Sequence, residues 1–153
     1  MLVLLTRHLD LMHAQSAPED VHALDVEALT APHITFLAAR DADGVLLGVG
    51  ALAEIEPGPG GGSVGAHGEI KSMHTAEAAR RRGVAGALLT HVLDLARERG
   101  YARLSLETGS DAAFAAARAL YARAGFIECP PFARYAPSAA STFMTLDLAD
   151  RAA

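Results

Sequence analysis

The sequence predicts a single α/β domain with a mixed, mostly antiparallel sheet of about six to seven strands flanked by helices. Three observations support this prediction. An Asp-Gly turn separates two apolar runs, strand patterns then alternate with two helical patterns, and no linker or internal repeat divides the 153 residues. A chain of this length has enough interior for one core.

Seven runs of residues have the pattern of strands. They are residues 2–7, 34–40, 45–54, 69–75, 104–106, 126–127 and 143–148. The second and third flank Asp41-Ala42-Asp43-Gly44, and Asp-Gly between two such runs is a strong hairpin signal. Two prolines and six glycines predict a loop at residues 57–68.

Helices are predicted between the later strands. Apolar residues recur at helical spacing from Ala85 to Ala96, and Gly100 is expected to end this helix. Ser110 is expected to cap a second helix that ends at Gly125. Residues 9–29 are expected to be helical in pieces.

Composition and charge exclude several classes of protein. A net charge of −5 argues against a nucleic-acid surface and against a polybasic membrane anchor. The single cysteine, Cys129, cannot form an internal disulfide, so we expect a reducing, cytoplasmic location. The seven histidines include no i, i+4 pair near carboxylates, so no metal site is expected.

The run Arg80-Arg81-Arg82-Gly83-Val84-Ala85-Gly86 lies between a predicted strand and the first strongly periodic helix. Its glycines allow the backbone to approach a ligand closely. The first amides of a helix favour an anion, and arginine side chains bind phosphate oxygens in a planar fork. A solvated run of charge is the alternative, but the strand–loop–helix context favours a diphosphate site.

Two motifs, in order, resemble those of the GNAT acetyltransferase superfamily. Arg80-x-x-Gly83-x-Ala85 is similar to its Q/R-x-x-G-x-G/A loop, and Leu120-Tyr121-Ala122-Arg123-Ala124-Gly125-Phe126 to its L-Y-x-x-x-G-F segment. Further segments resemble a bacterial branch of the superfamily: residues 21–25, 71–75, 104–110 and 129–132. The resemblance covers nearly the whole chain, so residues 1–153 are expected to form one GNAT-like domain.

The resemblance implies an N-acetyltransferase that moves the acetyl group of acetyl-CoA to an amine by direct attack in a ternary complex. Residues 80–86 would bind the pyrophosphate. The Met73 amide would stabilise the oxyanion, and His74 and Thr75 would continue along the pantetheine arm. The acceptor would be a small-molecule or peptide amine, and a homodimer is expected from family habit alone.

The resemblance also suggests the groups that move protons. Tyr121 would protonate the departing thiolate. Glu69 lies eleven residues before Arg80, the separation at which histone-acetylating members place their catalytic glutamate. His74 or water remains an alternative base, although strand alternation is expected to turn His74 away from Glu69 and Met73.

The acceptor pocket is less defined by the sequence. His22, Asp25, Glu107 and Tyr135 are candidates, as polar groups in segments that resemble the branch. Phe114 stands where many members have an asparagine that contacts the cofactor, so pantetheine would be held mainly by backbone. This departure gives some weight to an alternative function, a non-catalytic acyl-CoA-binding sensor or regulatory module.

Overall fold

The computed structural model describes residues 32–149 of the chain. Within them, the strands are β1 (Ile34–Arg40), β2 (Leu46–Glu56), β3 (His67–Thr75), β4 (Arg103–Gly109), β5 (Ile127–Glu128) and β6 (Ser141–Asp147), and the helices are α1 (Val84–Glu98) and α2 (Ala115–Arg123). The strands form one six-stranded sheet in the order β1-β2-β3-β4-β6-β5. This confirms the predicted fold class. The strand predicted at residues 2–7 and the helical pieces at 9–29 lie outside the described residues.

The predicted hairpin between β1 and β2 is confirmed. These strands pair antiparallel. Asp41 Oδ1 accepts hydrogen bonds from the amides of Asp43 at 3.0 Å and Val45 at 2.9 Å. Gly44 has φ of 82°, a conformation that glycine adopts without a steric penalty. Local turn chemistry alone therefore sets this corner of the sheet.

The first predicted helix is also confirmed. Helix α1 buries Leu88, Leu89, Val92 and Ala96 on one face. Gly100 follows its end with φ of 76°, and its amide bonds the carbonyl of Arg97 at 2.9 Å. The i, i+3, i+4 spacing of the apolar residues thus matches the buried face.

The prediction that Ser110 caps the second helix is wrong. Helix α2 begins at Ala115, after a 3-10 turn at Ala112–Phe114. Ser110 Oγ is instead 2.7 Å from Thr142 Oγ1. The reason is the antiparallel pairing of β4 with β6, which reaches as far as Gly109 and Ser141 and so leaves Ser110 beside β6.

The chain divides into two compact units, which we describe separately. The first unit contains the described residues up to Ala53 together with Ile70–Leu95. Here Gly48 permits close packing, because a Cβ at this position would lie 2.9 Å from Val84 Cγ1 and 3.1 Å from Leu88 Cδ1. The start of α1 therefore packs closely on β2. None of the helices within residues 32–149 has the length and hydropathy needed to span a membrane.

The second unit contains Glu54–Glu69 and the described residues from Ala96 onward. One face of its sheet is apolar and tightly packed. A Cβ at Gly68 would lie 2.6 Å from the Tyr101 ring and 2.8 Å from Leu104 Cδ2. Leu104 and Leu106 of β4 are fully buried on this face, as strand alternation requires.

The other face of the second unit carries a buried polar chain. Strand β3 begins at His67, earlier than predicted. His67 Nε2 is 2.7 Å from Ser105 Oγ. Ser105 Oγ is in turn 2.9 Å from Thr145 Oγ1, and the Thr145 hydroxyl donates to the carbonyl of Leu104 at 3.1 Å. Arg103 Nη2 lies 3.3 Å from His67 Nδ1. Since arginine only donates, Nδ1 accepts and Nε2 carries the ring proton.

This arrangement disfavours a second proton on His67. Burial lowers the pKa of His67 below 6.5, and the positive charge of Arg103 lowers it further, while Glu56 opposes the shift. In the unfolded chain the imidazole titrates near 6.5, so at acid pH the unfolded state binds the extra proton. The free energy of unfolding is therefore undiminished above about pH 6.5 and falls as the pH decreases below it.

We predict that His67→Gln weakens this acid dependence, because glutamine does not titrate. Thermal melts between pH 5 and 8 should show a steeper loss of Tm below pH 6.5 in the parent than in His67→Gln. His91→Gln, at an exposed position of α1, is the matched control and should follow the parent. Equal slopes for parent and His67→Gln would contradict the account.

Candidate functional site

The loop before α1 has an unusual backbone. Arg80 is extended, Arg81 has φ of 63° and Gly83 has φ of 78°. The side chains of Arg80, Arg81 and Arg82 are exposed. A left-handed conformation favours glycine, which explains Gly83 independently of any ligand. The three guanidinium groups are accessible to an anion.

The amides of Val84, Ala85 and Gly86 form the first turn of α1. Such amides have no partner inside their helix, and the first helical bond here is from the amide of Ala87 to the carbonyl of Gly83 at 3.0 Å. A Cβ added at Gly83 or Gly86 would meet no atom within 4 Å. The backbone therefore borders open space, as a diphosphate held by amides requires.

Met73, His74 and Thr75 end β3 and are half-buried. The Met73 side chain packs against the buried cluster of Ala79, Val84 and Leu88, so it belongs to the core. Its amide remains the candidate oxyanion donor.

Ser72 interrupts the regular backbone of β3 directly before Met73. Its φ is 55°, and its buried Oγ has no hydrogen-bond partner among the described residues. The expectation that His74 points away from Glu69 assumes a regular strand between them. The two-residue period holds only for regular strand, so alternation does not fix the direction of the His74 side chain beyond Ser72.

Glu69 is brought together with Tyr135 in the second unit. Glu69 is only 3% exposed. The Tyr135 hydroxyl donates a hydrogen bond to Glu69 Oε1. The sequence suggested these residues for different roles, as base and as acceptor contact, and the structure shows that they act on each other. Their individual roles in catalysis stay predictions.

Two phenylalanine rings pack against the Tyr135 ring. Tyr135 packs against Phe132 with ring centroids 5.1 Å apart and against Phe143 at 5.5 Å, and Phe132 and Phe143 are 5.9 Å apart. Burial and the negative charges of Glu69 and Glu107 raise the pKa of Tyr135. The phenol therefore stays protonated at neutral pH and is a hydrogen-bond donor there.

Glu107 lies on the same side of the second unit. It faces Phe143 across the β4–β6 pair and accepts a hydrogen bond from Ser141 Oγ at 2.8 Å. We call Glu69, Glu107, Phe132, Tyr135 and Phe143 the acidic–aromatic cluster. Carboxylates next to aromatic faces attract cations, so the chemistry of this cluster suits an ammonium group.

Tyr121 is buried in α2, and the structure explains its motif. Gly125 ends the helix with φ of 104°, and its amide bonds the carbonyl of Ala122. The amide of Phe126 then bonds the carbonyl of Tyr121 at 3.1 Å, and the two rings meet edge to face at 5.8 Å. This is a Schellman end with its hydrophobic contact. Burial raises the pKa of Tyr121, so the phenol stays protonated at neutral pH.

Phe114 provides packing where many family members provide an amide. It is half-buried, and a Cβ at Gly109 would overlap its ring. The side chain therefore covers the end of β4 and offers no polar contact.

The described part of the chain does not support catalysis by a cysteine nucleophile or by a metal ion. Burial raises the pKa of the Cys129 thiol, which opposes formation of a nucleophilic thiolate. No group of three or more His, Cys, Asp or Glu within residues 32–149 could hold a metal ion. The candidates His22 and Asp25 lie outside the described residues.

Four residues on or near this site were not among the candidates from the sequence. They are Phe132 and Phe143 of the acidic–aromatic cluster and His67 and Ser105 of the buried polar chain. A signal for His67 was present, since it lies two positions from Glu69 and would share its face in a longer β3. The glycine-rich composition of residues 57–68 predicted a loop there, so His67 was not assigned to β3.

Comparisons with known proteins agree with this geometry. The Acetyltransferase (GNAT) family model matches residues 5–126. The chain is 47% identical to the uncharacterized N-acetyltransferase YsnE of Bacillus subtilis, over 95% of this chain and 90% of that one. It is 42% identical to the uncharacterized N-acetyltransferase YedL of Escherichia coli, over 96% and 87%. A GCN5-related N-acetyltransferase from Kribbella flavida has the same fold, with a TM-score of 0.68, 24% identity and coverage of 95% and 90%. The chain therefore belongs to the GNAT family and is an N-acetyltransferase.

Proposed function

We propose that this enzyme transfers the acetyl group of acetyl-CoA to a primary amine by direct attack in a ternary complex, and that residues 1–153 form one domain for this reaction. The observation that carries the proposal is the loop at residues 80–86. It combines three exposed arginines, the first amides of α1 and open space beside Gly83 and Gly86. These features suit a diphosphate ester such as coenzyme A.

The attacking amine must be neutral, so its ammonium form has to lose a proton. We propose Glu69 as the base, directly or through water. A carboxylate that is 3% exposed sits in surroundings of low dielectric constant, where its interaction with an ammonium is stronger than in water. His74 stays an alternative base.

The tetrahedral intermediate carries a negative charge on its oxygen. We assign the amide of Met73 to stabilise it, since oriented backbone amides do so without reorganisation. Tyr121 then protonates the leaving thiolate. Burial keeps this phenol protonated before the step but also makes it a weaker acid than an exposed tyrosine, so the proposed role rests on the motif and not on the pKa.

The acceptor is proposed to be a cationic amine. Glu107 and Tyr135 of the acidic–aromatic cluster supply a second carboxylate and an aromatic surface close to Glu69. The net charge of −5 also attracts cations at long range. An acyl-CoA sensor without catalysis is the alternative from the sequence, and the named N-acetyltransferase relatives favour the enzyme.

An acceptor screen tests the proposal. Acetyl-CoA is incubated with monoamines, diamines, amino acids and peptides, and the release of free thiol is measured. We expect turnover with at least one cationic amine. The analogue in which a hydroxyl group replaces the amino group should not be acetylated. Tight binding of acetyl-CoA with no turnover by any amine would contradict the proposal.

Gly86→Val tests the loop. We choose Gly86 because Gly83 has φ of 78°, where valine would strain the backbone even without a ligand. A branched side chain at Gly86 would stand in the open space beside the first amides of α1. We expect acetyl-CoA affinity, measured by calorimetry, to fall by about tenfold or more, which is about 1.4 kcal/mol.

His91→Val places the same residue at an exposed position further along α1 and should bind acetyl-CoA as the parent does. Desulfo-CoA should bind the parent well, because it keeps the diphosphate. Parent-like affinity in Gly86→Val would show that the loop does not bind the cofactor.

A further inference from the structure

We propose that Tyr135 is a positioning residue for acetyl transfer: its hydroxyl holds the Glu69 carboxylate in one orientation towards the acceptor amine. This inference rests on the proposed role of Glu69 as base. It gives Tyr135 a specific task and explains why a tyrosine, and no other aromatic residue, stands at this position.

The contact itself carries the first step. An ionised carboxylate only accepts hydrogen bonds, so the phenol is the donor to Glu69 Oε1. A donor to the charged form of an acid stabilises that form, and a phenol bound to a carboxylate is a strong, charge-assisted case. A carboxylate can accept several hydrogen bonds, so the bond from Tyr135 is compatible with a substrate ammonium on the same group.

The second step is that the Tyr135 ring is fixed independently of Glu69. Its amide bonds the carbonyl of Phe132 at 3.1 Å, in a turn that includes Ala133 with φ of 51°. The amide of Cys129 bonds the carbonyl of Phe143 at 2.9 Å, which ties this segment to β6. With the ring held between two phenylalanines, the hydroxyl has a defined position from which to orient the carboxylate.

The third step concerns the surrounding charges. Glu107 on β4 is the second carboxylate that acts on Tyr135, and it disfavours ionisation of the phenol. His67 on β3 has its ring 5.8 Å from Phe132, with Glu56 and Arg103 beside it. Two carboxylates on one face repel each other, so Glu69 would be held less firmly in one orientation without its donor.

Removal of the hydroxyl should therefore lower the rate of the chemical step and leave cofactor binding unchanged. Tyr135→Phe tests this, because it removes the donor to Glu69 and keeps the ring. The plateau of kcat should fall by about tenfold, because the carboxylate is less well oriented. Affinity for acetyl-CoA should not change.

Tyr101→Phe is the matched control. It removes another buried phenol hydroxyl of the second unit, at a ring that packs on Gly68 on the other side of β3 from Glu69. Its kcat should match that of the parent. A parent-like kcat in Tyr135→Phe, or an equal loss of kcat in both variants, would overturn the proposal.

A double-mutant cycle separates positioning from a general structural role. If Tyr135 acts through Glu69, Tyr135→Phe should cause no further loss of rate in a Glu69→Gln background. Equal losses in both backgrounds would overturn the proposal, because the effect would then not pass through the carboxylate.

Carboxyl NMR tests the contact without turnover. With 13C-labelled glutamate, the Glu69 resonance is the one missing from Glu69→Gln. At a fixed neutral pH its chemical shift should change in Tyr135→Phe and stay unchanged in Tyr101→Phe, because only the first variant removes a donor to Glu69. An unchanged chemical shift in Tyr135→Phe would overturn the proposal whatever the enzyme acetylates. A changed chemical shift with no amine acetylated by the parent would overturn the proposed function, and with it the part of Tyr135 in the reaction.

Discussion

A carboxylate inside a protein must find donors there, because the loss of water around a charge costs several kcal/mol unless hydrogen bonds or opposite charges replace it. Glu69 is such a group, and much of the second unit is arranged around it. Tyr135 donates to it, Phe132 and Phe143 hold the Tyr135 ring, and the bond between Cys129 and Phe143 fixes the segment that carries both. The position of this buried carboxylate thus depends on the surrounding aromatic packing.

The two units present different kinds of groups. In the first, the loop at residues 80–86 presents the first backbone amides of α1, and its conformation includes a left-handed Gly83. In the second, the chemistry belongs to side chains. There the same face of the sheet carries the hydrogen-bonded chain from Arg103 through His67 to Ser105. His67 must stay neutral for this chain to keep its bonds.

Local signals made much of this predictable from the sequence. The Asp41–Gly44 turn, the periodicity of α1 and the Gly125 helix end depend on neighbouring residues, and each is confirmed. The Tyr135–Glu69 contact joins residues 66 positions apart and has no local signature. Ser110 shows the same limit, because its bond to Thr142 on β6 replaces the capping role that its neighbours suggested. Long-range pairing decides such cases, and one sequence does not reveal it.

The pH–rate curve of Glu69→Gln, with the amine that the parent acetylates, tests the central claim most directly. Glutamine keeps the shape of the side chain and removes the base. The account predicts a rate that falls at neutral pH, by about a hundredfold or more, and partly recovers at high pH, where the amine loses its proton unaided. Tyr121→Phe should show a loss without recovery, since alkali supplies no acid. Parent-like rates in Glu69→Gln across the whole pH range would contradict the account.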